Sequence, residues 1–177
     1  MAHPVLTINE EAMEKSLKEH LFEKAQLFKD AEDYYILERF ISLNGKEYKA
    51  AQFQGLRKQP KHCFQNALEL SLSQPGLRYV EGMAHRIATV HHAWCVDADD
   101  NVVDPTWAKP EDALYCGIAF EPKEAACICY KNGYYGLFDG REGKAFILMR
   151  KLDPDFQFPR GIKEWIEREV AKETKGA

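Results

Sequence analysis

Apolar side chains recur at helical intervals near both ends of the chain. Thr7 and Glu10 have the spacing of a capping box, and the apolar positions after them predict a charged, one-sided helix over residues 9–30. The same three- and four-residue spacing predicts a closing amphipathic helix over residues 161–173. Residues 34–42 are compatible with either helix or strand, and the Asn-Gly pair that follows them predicts a turn.

A short apolar helix is expected in the middle of the chain. Pro60 suits a helix start, where no N–H is needed, and the Pro75-Gly pair stops the element. Between them, apolar residues at three- and four-residue steps predict a helix that runs to about Ser73. Cys63 therefore lies in the first turn of this helix.

Alternating apolar and polar positions predict strands after this helix. The clearest are Arg78–Ala84 and Val90–Asp97, and Val102–Trp107 can return beside the second of them after a polar turn. From Tyr115 onward, short aromatic-rich runs alternate with glycines, and the apolar run at 145–149 is expected to be a buried strand.

These elements predict one α+β domain that spans the 177 residues. An antiparallel sheet would pack against the helix that carries Cys63, with a core over residues 55–150 and helices flanking it at both ends. A hydrophobic content of 45% is enough for a sizeable core.

Charge and cysteine count restrict the partners and the compartment. A net charge of −4 and a pI near 5.9 argue against a groove that follows phosphates, so we do not expect nucleic acid as a ligand. Apolar runs stay far below the roughly 18 residues of a membrane span, and the first residues show no secretory signal. Five cysteines without a C-x-x-C pair favour free thiols in a reducing compartment, and we expect a cytoplasmic protein without a cofactor.

Three residues, in chain order, have the chemistry of nucleophilic acyl transfer. Cys63 supplies a thiol at a helix start beside Lys61 and His62, where the helix dipole and a nearby cation favour the thiolate. His92 supplies an imidazole that takes and returns a proton, and Asp104 supplies a carboxylate that holds the imidazole in one tautomer.

The strand pattern indicates how this trio can meet. His91 and His92 face opposite sides of a strand, and the more apolar set that includes His92 is expected to face the Cys63 helix, leaving His91 exposed. Asp104 shares a face with His92 only if the paired residue numbers add to an even value. A sum of 196 places the two residues directly opposite, and a sum of 198 places them diagonally at ~7–8 Å.

Further residues are candidates for supporting roles. The backbone N–H of Cys63 is a natural oxyanion donor, and either Gln54 or Gln59 can supply a second one. Glu81 is a candidate for supporting a residue of the site or for contacting the substrate, although the simpler interpretation is an exposed strand carboxylate. Trp94 is expected to form a wall of the cleft or of the core. The other four cysteines lie in strand-like apolar runs and are expected in the core.

The H-A-W segment that begins at His92, followed by a hairpin and by D-P-T-W from Asp104, resembles a known family. It looks like the bacterial transglutaminase-like branch of the papain-like cysteine peptidase superfamily. The resemblance covers roughly residues 60–120. It implies a triad of Cys63, His92 and Asp104 and chemistry at peptide or side-chain amides.

These observations favour a cysteine-dependent hydrolase or acyltransferase that acts on a peptide, a protein or a small amide. One alternative is a non-catalytic binding module on the same scaffold, for example a microbial or phage protein that binds a host protein or a small ligand. Another is a metal-dependent hydrolase whose ligands come from His85, His91, His92 and Asp104, although these residues lack the helical H-x-x-x-H spacing.

Overall fold

The helices and strands below come from a computed structural model that describes residues 16–27, 35–139 and 143–175. Those residues form a mixed α+β structure of six α-helices and five strands. The helices are α1 (Leu17–Leu27), α2 (Ile36–Asn44), α3 (Cys63–Ser73), α4 (Pro122–Asn132), α5 (Lys144–Leu152) and α6 (Arg160–Lys175). The strands are β1 (Lys46–Tyr48), β2 (Arg78–His85), β3 (Thr89–Val96), β4 (Val102–Val103) and β5 (Leu114–Phe120).

The five strands form one antiparallel sheet in the order β1-β5-β2-β3-β4. The two edges of this sheet approach each other, because Lys49, just after β1, bridges to Asn101, just before β4. The backbone N–H of Val102 donates to the carbonyl of Lys49 across this junction at 2.8 Å. The sheet is therefore curled towards a barrel, which gives it a concave and a convex face.

Each face of the curled sheet carries its own apolar core. The concave face encloses a cluster of mostly aromatic and branched side chains: Tyr48, Val80, Ala84, Trp94, Val96, Val102, Ala113 and Tyr115. The convex face packs against the helices and contributes Tyr79, Met83, Ala93, Cys95 and Cys116 to a larger core with residues of α1 to α6.

Two glycines allow the sheet to curl so tightly. Gly82 and Gly117 pair across β2 and β5. A Cβ added at Gly117 would lie 2.8 Å from the Glu81 carbonyl oxygen and 2.8 Å from Cη2 of Trp94. The absent side chain of Gly117 thus leaves room for the Trp94 ring on the concave side, and that of Gly82 leaves room for the backbone of β5.

The structure confirms the helix that begins at Cys63 and the strands around His92. It resolves the open choice at residues 34–42 in favour of a helix, α2, which ends before Gly45. Of the helix predicted over residues 9–30, the part from Leu17 to Leu27 is α1, and the rest falls mostly outside the described residues. The closing helix is also confirmed, as α6.

Two segments expected to be strands are helices. Cys127 and Cys129 lie on α4, which begins with Pro122 and ends at Gly133 in the left-handed conformation, with φ of 79°. The run at 145–149 lies on α5, where the buried Ala145 and Met149 are one helical turn apart. Short apolar runs do not distinguish a strand from a helix, and here packing on the convex side of the sheet favours the helix. The return strand is also shorter than expected and ends at Val103.

Among the described residues, no helix combines the length and the apolar character needed to cross a bilayer.

Candidate functional site

Asp104 lies just after β4, fully buried at the rim of the concave core. The paired residues of β3 and β4 have numbers that add to 198. This is an even sum, as a shared face for Asp104 and His92 requires, and it is the diagonal of the two registers considered above. One carboxylate oxygen, Oδ1, accepts the backbone N–H groups of Thr106 and Trp107 at 2.8 and 3.2 Å. The other, Oδ2, accepts the Tyr115 hydroxyl at 3.0 Å and Nε2–H of His92 at 2.8 Å. Four donors therefore fix the carboxylate in one orientation.

His92 is held between this carboxylate and two indole rings. Only 2% of the residue is exposed, and its ring stacks on Trp107 with a centroid distance of 4.4 Å and lies 6.2 Å from Trp94. Burial alone would lower the pKa of His92, but hydrogen bonds and charge interactions with Asp104 and Cys63 outweigh it and raise the pKa to about 9. The imidazole is therefore protonated at neutral pH.

The same interactions act on Asp104 in the opposite direction. Burial would raise the pKa of this carboxyl, but the His92 imidazolium and the backbone N–H groups of Thr106 and Trp107 lower it below its usual range. The pair is therefore ionised, and each charge is compensated by its partner in a site from which water is largely excluded.

Cys63 is the first residue of α3 and is 9% exposed. Lys61, with φ of 68°, turns the chain into the helix two residues earlier. The Cys63 side chain interacts with the imidazole of His92 and raises its pKa, both by hydrogen bonding and by charge. Because Nε2 is occupied by Asp104, Nδ1 is the ring nitrogen that remains for proton exchange with the thiol.

Two expectations are wrong: that the strand face of His92 packs on the Cys63 helix, and that His91 is exposed. α3 packs on the convex side, where Cys95 Sγ donates to the Ala67 carbonyl at 3.1 Å and the Phe64 ring lies 4.8 Å from the ring of His91. His91 is half-buried under the helix, and His92 lies on the concave side. At His92, β3 pairs with Gly82 of β2 on one edge, whereas β4 pairs only with the last two residues of β3 on the other edge. Cys63, the first residue of α3, interacts with His92.

The sequence interpretation missed a residue that ties the first turn of α3 to the Asp104 loop. Asn66 is buried, and its Nδ2 donates to the Gln59 carbonyl at 2.7 Å and to the Thr106 hydroxyl at 3.1 Å. The backbone N–H of Lys58 also donates to the Pro105 carbonyl at 2.8 Å. The available signal was a polar residue on the apolar face of a short helix.

The simpler interpretation of Glu81, an exposed strand carboxylate, is wrong. It is fully buried on the convex side and bonds to Tyr79, His91 and two backbone N–H groups. Trp94 is fully buried in the concave core, where its Nε1 has no hydrogen-bond partner among the described residues.

Gln54 and Gln59, the two expected oxyanion donors, are both exposed. The contact that places Gln59 near the first turn of α3 is made by its backbone carbonyl, which Asn66 binds.

The remaining cysteines differ in exposure. Cys95, Cys116 and Cys129 are buried, in agreement with the sequence, and burial raises the pKa of each thiol. Cys127 is exposed on α4, so its assignment to the core is wrong. All five thiols are free.

The four candidate metal ligands are divided among three separate hydrogen-bonded pairs. Nδ1 of His85 bonds to Thr89, His91 bonds to Glu81 on the convex side, and His92 bonds to Asp104 on the concave side. In the part of the chain that the structure describes, no three His, Cys, Asp or Glu side chains converge in a manner suited to a metal ion.

Comparison of the chain with protein-family models, with curated proteins and with solved structures gave no match.

Proposed function

We propose that the protein is a cysteine-dependent hydrolase or acyltransferase that acts on a peptide or side-chain amide. One observation carries the proposal: a buried imidazole bonds to a buried carboxylate through Nε2 and interacts with a thiol at the first residue of a helix. The curled antiparallel sheet beside a helix that begins with the cysteine also agrees with the resemblance to the transglutaminase-like branch of the papain-like superfamily. Five free thiols fit a reducing, cytoplasmic compartment.

In the proposed reaction, Asp104 keeps His92 protonated, and the imidazolium is the counter-ion of the Cys63 sulfur as it attacks. The thiolate attacks the carbonyl carbon of the amide and forms a tetrahedral intermediate. His92 then gives its proton to the leaving nitrogen, and the C–N bond breaks to leave a thioester on Cys63. Water or an amine attacks the thioester, His92 takes the proton of this nucleophile, and the Cys63 thiolate leaves.

The start of α3 also offers stabilisation for the intermediate. The N–H groups in the first turn of a helix have no carbonyl partner within the helix, and Cys63 is the first residue of α3. In the proposal, its backbone N–H donates to the oxyanion, an interaction whose loss costs about 2.7–4 kcal/mol in comparable sites.

Alkylation by iodoacetamide, followed by mass spectrometry of the cysteine peptides, tests the proposal. Cys127 is exposed and provides a reference thiol in the same molecule. At about pH 6.5 we expect Cys63 to react at least about tenfold faster than Cys127, because reactive cysteines lie beside a cation, here the imidazolium of His92. His92→Gln should remove this advantage and leave the rate at Cys127 unchanged. If Cys63 reacts more slowly than Cys127 in the wild-type protein, the nucleophile is not activated and the proposal is wrong.

A further inference from the structure

The Glu81 carboxylate holds one loop of the convex side in place. Its Oε1 accepts Nε2–H of His91 at 2.9 Å and the backbone N–H of Phe138 at 2.7 Å. Its Oε2 accepts the Tyr79 hydroxyl at 2.6 Å and the backbone N–H of Leu137 at 2.7 Å. A buried carboxylate is tolerated only when hydrogen-bond donors replace the water that it binds when exposed. These four donors together replace that water. Two of the four donors belong to the loop of residues 133–139, so the carboxylate fixes this loop to β2.

The same loop packs on the first turn of α3, beside the proposed nucleophile. The Phe64 ring, from the residue next to Cys63, lies 4.8 Å from the ring of His91. Gly136 of the loop, with φ of 99°, is also next to this ring, because an added Cβ there would lie 3.6 Å from Cγ of Phe64. Glu81 therefore positions both surfaces that touch Phe64, namely the His91 ring and the loop backbone.

A pocket of about 280 Å³ lies between this loop and the start of α3. Its walls come from both sides of Cys63 and from the loop: Lys61, His62, Phe64, Gln65, Tyr134 and Tyr135. Pockets for drug-sized ligands occupy roughly 300–1,000 Å³, so this volume suits one large side chain rather than a whole ligand. Three aromatic rings line it, and aromatic rings provide much apolar contact area for each residue.

We propose that this pocket receives a large apolar or aromatic side chain of the substrate, next to the attacked amide. Glu81 and His91 are positioning residues that keep Tyr134 and Tyr135 in place as its wall. The inference rests on the proposed function, since a subsite for substrate needs a nucleophile beside it.

Two chloromethyl ketones provide the test. The N-acetyl-phenylalanyl and N-acetyl-alanyl reagents differ only in the side chain, and with either one the Cys63 thiolate displaces chloride to form a thioether. In the wild-type protein we expect the second-order rate of Cys63 alkylation to be at least about tenfold higher for the phenylalanyl reagent, since apolar pocket contacts give about 10–200-fold discrimination. Iodoacetamide, which needs no subsite, reports the reactivity of the thiol separately.

Three variants assign this preference to the pocket. Tyr135→Ala should reduce the preference to about threefold or less, whereas Tyr130→Ala, at a residue 90% exposed on α4 that does not line this pocket, should retain it. Glu81→Gln keeps the size of the side chain but removes acceptor capacity, so the loop loses a bond and the preference should fall. In Tyr130→Ala, the iodoacetamide rate at Cys63 should stay within about twofold of wild type. In the other two variants, the preference is the ratio of the two ketone rates, so a change in the reactivity of the thiol itself cancels.

The outcomes separate the two proposals. If iodoacetamide reacts rapidly with Cys63 but the two ketones react equally fast, the subsite is wrong and the nucleophile stands. If Cys63 reacts with iodoacetamide more slowly than Cys127, the proposed function itself is wrong. A Glu81→Gln protein that retains the full preference would overturn the positioning role. If circular dichroism shows that this variant is unfolded, His91→Gln replaces it with the same expected loss of preference.

Discussion

Replacing His92 by Gln tests the buried ion pair through the pH dependence of stability. The pKa of His92 rises from 6.5 to about 9 on folding, and each pKa unit corresponds to about 1.4 kcal/mol. The interactions of protonated His92 with Asp104 and Cys63 therefore contribute about 3 kcal/mol to the free energy of unfolding. The sign follows from the raised pKa: the contribution is complete below pH 6.5 and is lost as the pH rises through 9. The accompanying fall in the pKa of Asp104 describes the same interaction and is counted once.

Urea unfolding of both proteins at several pH values between about 5.5 and 9.5 provides the measurement. Wild type should lose about 3 kcal/mol more than His92→Gln over this range, with most of the loss between pH 6.5 and 9. Buried thiols such as Cys95, whose pKa burial raises to about 12, also reduce stability at the alkaline end. They are present in both proteins and cancel in the difference. A difference that stays constant across the range would refute the charged state assigned to His92.

Two further substitutions test the surroundings of the site. Gly117→Ala should destabilise the protein by about 1–3 kcal/mol, because the new Cβ collides with Trp94 and with backbone, whereas Gly161→Ala meets nothing within 4 Å and should be neutral or stabilising in urea unfolding. Equal unfolding midpoints for the two would contradict the tight curl of the sheet. Tyr115→Phe removes a hydroxyl that donates to Asp104. This hydroxyl stays protonated, because burial and the charge of Asp104 raise the pKa of Tyr115. We expect a loss of about 2 kcal/mol by the same assay, against no change for Tyr130→Phe, and an unaltered Tyr115→Phe protein would show that the hydroxyl is dispensable to the carboxylate.

Local sequence signals were sufficient to predict an element where proline and glycine mark its ends, or where apolar and polar residues alternate over a long run. Proline and glycine bound the Cys63 helix, and two extended alternating runs gave β2 and β3. They failed where an apolar run was short, as for α4 and α5, because four or five apolar residues fit a buried strand and a buried helix equally well. Glu81 shows the same limit for charge. A carboxylate side chain is ordinarily exposed to solvent. The burial of Glu81 is possible only because of its four hydrogen-bond donors, which come from β2, β3 and the loop of residues 133–139.

The sequence by itself determined the chemical types of residue in the candidate site and their order along the chain. It also required an even register sum if Asp104 is to share a face with His92, because side chains on a strand alternate with a period of two residues. The pairing of β3 with β4 in the folded protein met this requirement. Only the tertiary structure decided which side of the sheet each histidine occupies. That choice depends on the direction of the curl and on the side on which α3 packs, and both are set by contacts between residues far apart in the chain.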